Sequence, residues 1–432
     1  MLRQSERKTT MFCNLGTAYY SVSCNPGAAV IMHTPRACSH LAFEGHWMIQ
    51  RRAYLREPSL VLPEGNHLFV TGITDREAIF GGESILRKCL LDVSELPWVR
   101  YMVVVAGCTA GVIGDDVASV CQEVEEETGI PVLLVPGAGF MSRHHVETQV
   151  DLLRLLVDRF AGKERVPEKD KNLAVLFGEN RGTANENNIA EITRLFSLFG
   201  FTKVLFPPNC MTVEDFREIP KASLFMAVGF SMDHFDVMQD FTKSMADRYG
   251  ALCYLGNYPI GIGRTRRFVK DMGILLGREK KAEKIMAGEE KRLEEAAGKT
   301  EKALEGKKLA LVLGFPLRFC RIENHLFTLM KAGMKPEVII LHNDLTAREK
   351  EEQVSHLKGF RNLAGIPIVD GEERIWDYER QVDLVLTTTP MDGVSHQLGI
   401  SVQQVGMGGV ENLLEKAKAA MAGGGRRVIY EF

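Results

Sequence analysis

Cysteine carries the most versatile chemistry in this chain, and three of its nine occurrences stand where a thiolate could be used. Cys38 lies in "HTPRACSH" (33–40), where Thr34 can act as an N-cap and Pro35 suits the first helical position. That puts Cys38 in the first turn of a helix, and the positive end of the helix dipole favours a thiolate there. Cys108 follows "YMVVVAG" and precedes "TAGVIGDD", so it falls just past the carboxyl end of an expected parallel strand. Open α/β sheets place their ligands at such ends. Cys13, in "MFCNLG", stands outside any periodic segment. Loop and helix-entrance cysteines gathered in one part of a chain suit an iron–sulfur cluster, whose irons are held by thiolates. Cys24, in "VSCNPG", is a fourth candidate that replaces or supplements Cys13, or is simply a small buried hydrophobe. Cys89, Cys121 and Cys253 fall within helix or strand patterns, Cys210 lies in "PPNC" and Cys320 near a helix start, and all five read as structural.

The elements that must position these residues can be read from periodicity. Apolar runs at 101–107, 132–135, 172–178, 202–206, 224–229, 309–314, 337–342 and 383–389 read as buried parallel strands. Segments of helical period lie between them, at 76–91, 115–128, 185–199, 233–248 and 318–332. Asp115 or Asp116 is expected to cap the second of these helices. The alternation predicts an α/β chain built of doubly wound units with mostly parallel sheets. Two seams, "AGKERVPEKDK" at 161–171 and the charged run from Arg278 to Lys308, divide it into expected domains at 1–168, 169–300 and 301–432. The second seam has Glu and Lys at helical spacings and reads as a solvated connecting helix.

Composition excludes several classes. A length of 432 residues favours more than one domain, and 45% hydrophobic with 25% charged residues and a net charge of −3 gives no reason to expect nucleic acid, an anionic membrane surface or disorder. No apolar run approaches bilayer-spanning length, the N-terminus lacks a signal-like apolar stretch, and nine cysteines are too few for a disulfide scaffold, so a reducing, cytoplasmic setting is expected. There is no P-loop, no G-x-S-x-G elbow, no H-E-x-x-H and no EF-hand loop; "GAGFMS" at 137–142 has two of the three dinucleotide-binding glycines and ends in Ser142.

Taken in order, Cys13, "HTPRAC", "FVTGITDREAIFGGESIL", "AGCTAGVIGDD" and "PVLLVPGAGF" resemble the nitrogenase component 1 superfamily. That superfamily shows an early cysteine, an H-G-P-x-G-C-like box, an F-G-G-[ED] box, a C-x-x-x-[IL]-I-G-D-D box and a downstream G-F. The likeness is strongest over 13–140 and continues more weakly through "YPIGIGRTRRF" and "QLGISVQQVGMGGVENLL". It implies three α/β domains, with Cys13, Cys38 and Cys108 as ligands of an iron–sulfur cluster, 4Fe-4S or larger and P-cluster-like, shared across a subunit interface. It also implies two partners, a homologous or identical component 1 chain and a separate ATP-hydrolysing iron protein. The missing P-loop fits that division of labour.

This chain departs from the pattern at Thr34 and Ala37, where glycines are usual. The α chain of nitrogenase binds its large cofactor through a cysteine ahead of a helix in the second domain, whereas "LFMAVGFSMDHFDVMQDF" holds none; His234 stands there instead, more simply as a cap or surface histidine. Arg36 and His40 flank Cys38 and could tune a cluster, although a helix-entrance arginine is more often an interface residue. Arg264, Arg266 and Arg267 read more readily as surface cations than as an anion site, and His144 and His145 carry no clear signal. The leading expectation is a subunit of a nitrogenase-like reductase acting on a substrate held between domains, with dinitrogen disfavoured. The alternatives are a non-catalytic scaffold for metal-cluster assembly and a binding protein of the same fold without a cluster.

Overall fold

The computed structural model describes residues 14–43, 67–135, 145–164, 168–178, 186–228, 235–314, 322–389, 391, 393–400, 405–422 and 428–431. It is an α/β protein with three sheets in which every pair of neighbouring strands is parallel.

The first unit runs through α1 (Asn14–Val22), β1 (Ala28–His33), α2 (36–43), β2 (Leu68–Val70), α3 (Asp75–Phe80), α4 (Glu83–Ser94), β3 (Tyr101–Ala106), α5 (Cys108–Ile113), α6 (Val117–Thr128), β4 (Val132–Val135) and α7 (His145–Leu156). Strand order is β2-β1-β3-β4, so the order in which strands are added reverses between β1 and β3 while the strands stay parallel. Ala29, Ile31, Met102 and Val104 face α4 and α6, while Ala28, Val30, Met32, Val103 and Val105 face α1 and α7. Burial on both faces explains why the strands read as unbroken apolar runs. The run criterion misses β1 because its first two residues are alanines, yet all six of its residues are buried.

Helical period predicts a single helix over 76–91, but the structure breaks it into α3 and α4. Gly81 adopts φ +91, a conformation that glycine tolerates best, and the chain turns there. α3 starts with a reciprocal capping box between Thr74 and Glu77.

The middle unit holds β5 (Asp170–Phe177), α8 (Glu186–Phe199), β6 (Lys203–Leu205), α9 (Val213–Glu218), β7 (Ala222–Ala227), α10 (Phe235–Tyr249), β8 (Leu252–Tyr254) and α11 (Gly261–Leu275), with order β6-β5-β7-β8. Its core is continuous with that of the first unit: one cluster of buried side chains includes Val103, Leu153, Phe177, Phe225 and Phe241. The polar sequence at 161–171 therefore does not mark a break in packing. The charged run becomes α12 (Glu279–Leu304), and it is not simply solvated. Ala282, Ile285, Glu289, Leu293, Ala296, Thr300 and Leu304 recur every three or four residues and are buried, the pattern of an amphipathic helix.

The last unit holds β9 (Lys308–Leu313), α13 (Ile322–Lys331), β10 (Lys335–Leu341), α14 (Ala347–Lys358), β11 (Ile368–Asp370), α15 (Ile375–Tyr378), β12 (Leu384–Thr387), β13 (Gln397–Ile400), α16 (Gly406–Met421) and β14 (Val428–Glu431), in the order β11-β10-β9-β12-β13-β14. α12 lies against α11 and α16 and so joins the middle and last units. No helix among the described residues is long and apolar enough to cross a membrane.

Candidate cluster site

β1 and β3 are neighbours in register, His33 opposite Ala106, so the chain leaves both strands at the same edge of the first sheet. This is the switch point of the sheet, the position at which open α/β folds form ligand crevices. β1 leads to α2 with Cys38, its third residue, exposed; β3 leads through Gly107 to Cys108, half-buried at the first position of α5. The two turns are bonded to each other, since the Gly107 amide donates to the His33 carbonyl at 2.9 Å. Cys13 lies outside the described residues. α1, which begins at Asn14, is joined to β1 by only five residues and packs on β1 and β3, so it runs back along the sheet and starts toward this same edge.

Cys24 is placed elsewhere. It precedes the amino end of β1, is buried, and has its sulfur 4.0 Å from the Ser23 hydroxyl. A six-residue strand spans about 20 Å, so Cys24 sits at the opposite edge of the sheet from Cys38 and Cys108 and does not join them. Burial pushes the thiols of Cys89 and Cys253 up to about 11 and that of Cys121 up to about 12, against thiolate formation. Cys210 is half-buried beside Asn209. Cys320, His144 and His234 lie outside the described residues, as does the side chain of His145.

Thr34 departs from its expected role. Rather than capping α2, its side chain is fully buried and turned against Gly107, where a Cβ would come within 2.4 Å of its oxygen. The Thr34 hydroxyl has no hydrogen-bond partner among the described residues. Leaving a buried hydroxyl unpaired costs on the order of 1–3 kcal/mol. Arg36 is exposed and lies over Gly72, while His40 is exposed. Arg266 and Arg267 form surface ion pairs with Glu290 and Asp271.

Behind the turns lies a network the cysteine pattern did not reveal. His33, fully buried, has Nε2 2.8 Å from Asp115 Oδ2 and Nδ1 2.9 Å from the Thr71 hydroxyl. With a carboxylate at Asp115, Nε2–H donates and Nδ1 accepts from Thr71. The other Asp115 oxygen accepts from the Gly82 amide at 2.8 Å, and Glu83 accepts from the Asp116 amide at 2.8 Å, so the G-G-E and G-D-D turns are cross-bonded. Of the two aspartates, Asp116 caps α6 through Ser119 while Asp115 turns inward. Burial lowers the His33 pKa, and its bond to Asp115 opposes this without reversing it. The adjacent glycines and acidic residues in those two turns were the only sequence signal for this network.

The rim is apolar. Val112, four residues beyond Cys108, is 75% exposed, and Leu41, three beyond Cys38, is 53% exposed, so each shares a helical face with its cysteine. α3, which packs on α5, ends with Ile79 and Phe80 at 74% and 81% exposure. Between α5 and α6 a cleft of about 280 Å³ is lined by Ala106, Ala110, Gly111, Asp115, Val117 and Val135, among others. No three His, Cys, Asp or Glu side chains among the described residues group closely enough to hold a metal by themselves.

The family model for nitrogenase component 1 type oxidoreductases matches residues 13–423. The chain belongs to that family. Relatives include the nitrogenase molybdenum-iron protein alpha chain of Methanothermobacter marburgensis, 25% identical over 350 residues, which are 78% of this chain and 69% of the relative. The nitrogenase iron-molybdenum cofactor biosynthesis protein NifE of Clostridium pasteurianum is also 25% identical, over 295 residues, or 67% of this chain and 61% of that protein. The solved structure of nitrogenase Cp1 at pH 5 superposes with a TM-score of 0.67 at 18% identity, covering 95% of this chain and 88% of the other, which establishes the fold.

Proposed function

We propose that this protein is a component-1-type subunit of a nitrogenase-like reductase, whose first unit holds an iron–sulfur cluster on Cys38, Cys108 and Cys13 together with thiolates of a partner chain. The observation that carries this reading is the pairing of exposed Cys38 and half-buried Cys108 on hydrogen-bonded turns at the sheet's switch point, with the Thr34 hydroxyl, unpaired among the described residues, between them. When bound, such a cluster accepts and passes single electrons at low potential. The chain's own contribution is to fix the thiolates, to offer the Thr34 hydroxyl as a donor toward sulfur, and to keep water away with a second protein surface. Four exposed apolar residues around the cysteines supply that surface, a concentration that favours an occupied interface in the working complex. The partners proposed are a homologous or identical component 1 chain and a separate ATP-hydrolysing iron protein that delivers electrons. Dinitrogen is disfavoured as the substrate, because no cysteine stands in the segment between β7 and α10.

A second reading, a scaffold that holds a cluster and passes it on, is favoured by the NifE relative. The two are separated by adding an ATP-driven iron protein and reductant to the purified complex under anaerobic conditions. A reductase shows ATP-dependent reduction of its cluster signal in electron paramagnetic resonance. A cluster that stays oxidised but transfers intact to an acceptor protein supports the scaffold and overturns the reductase.

A further inference from the structure

His33 and Asp115 form a buried titratable pair behind the two cysteine-bearing turns. α5, which carries Cys108, has only six residues. A helix of about 9 Å has no independent stability in water, so its place depends on what holds its ends. Both ends are tied to the same residue. At the front, the Gly107 amide donates to the His33 carbonyl at 2.9 Å. At the back, the chain turns through Gly114 at φ +81, and Asp115 reaches back to His33 Nε2 at 2.8 Å. His33 is itself fixed by Thr71 on one side and by its strand on the other, and Asp115 by the Gly82 amide. Gly82 has an ordinary φ of −101, so glycine is not required there by backbone conformation. It is required by space: a Cβ would stand 2.7 Å from Asp115 Oδ2 and 2.8 Å from the His33 ring. The turn that presents Ile79 and Phe80 is thereby seated directly on the pair.

We propose that His33 and Asp115 are the positioning pair of the site, a clamp that holds both ends of the Cys108 helix and seats the Phe80 turn against it. The pair acts through Cys108 and touches no substrate. This inference rests on the proposed cluster only for its effect on iron; the clamp itself is a property of the chain.

Four variants test it: Asp115→Ala, which removes the clamp; Asp115→Asn, whose amide can still accept from Gly82 and donate to His33 once the ring changes tautomer; Gly82→Ala, which wedges the pair apart without deleting a donor; and Asp116→Ala, which removes the exposed cap next door. Amide hydrogen exchange over 107–115, measured on the whole chain without metal, is expected to quicken at least about tenfold in Asp115→Ala and Gly82→Ala. Asp115→Asn and Asp116→Ala are expected to stay near wild type. In the anaerobic complex the first two variants are expected to shift the cluster's resonance spectrum and retain iron about tenfold more weakly, with recovery in Asp115→Asn. If Asp115→Ala and Gly82→Ala match Asp116→Ala in exchange, the clamp is refuted. Should Asp115→Ala fail to fold, Gly82→Ala carries the same decision. A wild-type complex without iron would refute the cluster reading, and the exchange result would still judge the clamp.

Discussion

The residues divide into those that can reach a ligand and those that hold them. Replacing Cys38 or Cys108 with alanine is expected to strip most of the iron while leaving the melting temperature of the metal-free chain nearly unchanged, because neither side chain is buried in the core. Parallel iron assays and thermal melts would check both halves. Cys24→Ala is expected to do the opposite, lowering stability without touching iron, since Cys24 is buried at the far edge of the sheet. His33 adds a pH dependence. Its folded pKa lies below the ordinary value of 6.5, so above that value both folded and unfolded chains carry it neutral. As pH falls below about 6.5 the unfolded chain takes up a proton that the folded chain resists, and stability is lost. Urea melts at pH 7.5 and 5.5 are expected to show a larger drop for wild type than for His33→Gln; equal drops would contradict the assignment. At this scale the sequence singled out Cys38 and Cys108, and the structure puts them on turns that are bonded to each other. The sequence was opaque at Thr34, which has the composition of a helix cap and the placement of a buried orphan, because a cap and a buried contact differ only in which neighbour the side chain meets.

At the level of elements, apolar runs located the long central strands because both faces of each sheet are covered. β1, β2, β8, β11, β13 and β14 escaped because short or alanine- and glycine-containing strands owe their place to neighbours rather than to their own pattern. The break between α3 and α4 was hidden within a continuous helical period, and only the paired glycines hinted at it. α12 was read as solvated because its charges are conspicuous, yet its buried stripe carries an ion-pair junction. There Glu191 of α8, 8% exposed, takes two bonds from Arg194 at 2.8 Å and one from the Gly408 amide of α16 at 2.9 Å, with Arg292 of α12 alongside at 3.3 Å. Burial works to raise the Glu191 pKa, but these donors outweigh it and hold the carboxyl below its usual range. A Cβ at Gly408 would come within 2.6 Å of that carboxylate, and one at Gly406, where φ is +64, within 2.4 Å. Gly408→Ala is therefore expected to destabilise the chain by about 1–3 kcal/mol, since it forces the buried carboxylate off its donors. Denaturant titration checks this, and a change under about 0.5 kcal/mol, the range of an ordinary surface substitution, would contradict the junction's role.

Across the whole molecule, the candidate site lies at one end of the first of three parallel sheets, with Leu41, Ile79, Phe80 and Val112 exposed as its apolar rim. Phe80→Ser is expected to leave the melting temperature unchanged, given 81% exposure, and to weaken association with a partner protein, read by co-elution with the homologous chain and by iron-protein-dependent reduction. If neither changes, the rim is not a docking surface. The order of boxes from Cys13 to the G-D-D turn made the family legible, and the G-G-E box shows why such a box tolerates few residues: Gly81 has φ +91 and a Cβ on Gly82 would meet Asp115 and His33. Substrate and reductase-or-scaffold role were not legible, since relatives of both kinds share these boxes at similar identity. The central claim, a cluster held on Cys38 and Cys108, is tested most directly by iron and acid-labile sulfide analysis of the anaerobically purified complex, wild type beside Cys108→Ala. Iron and sulfide are expected together in the wild type, with most of both lost in the variant. A colourless wild type without iron, or a variant with unchanged iron, would contradict that claim.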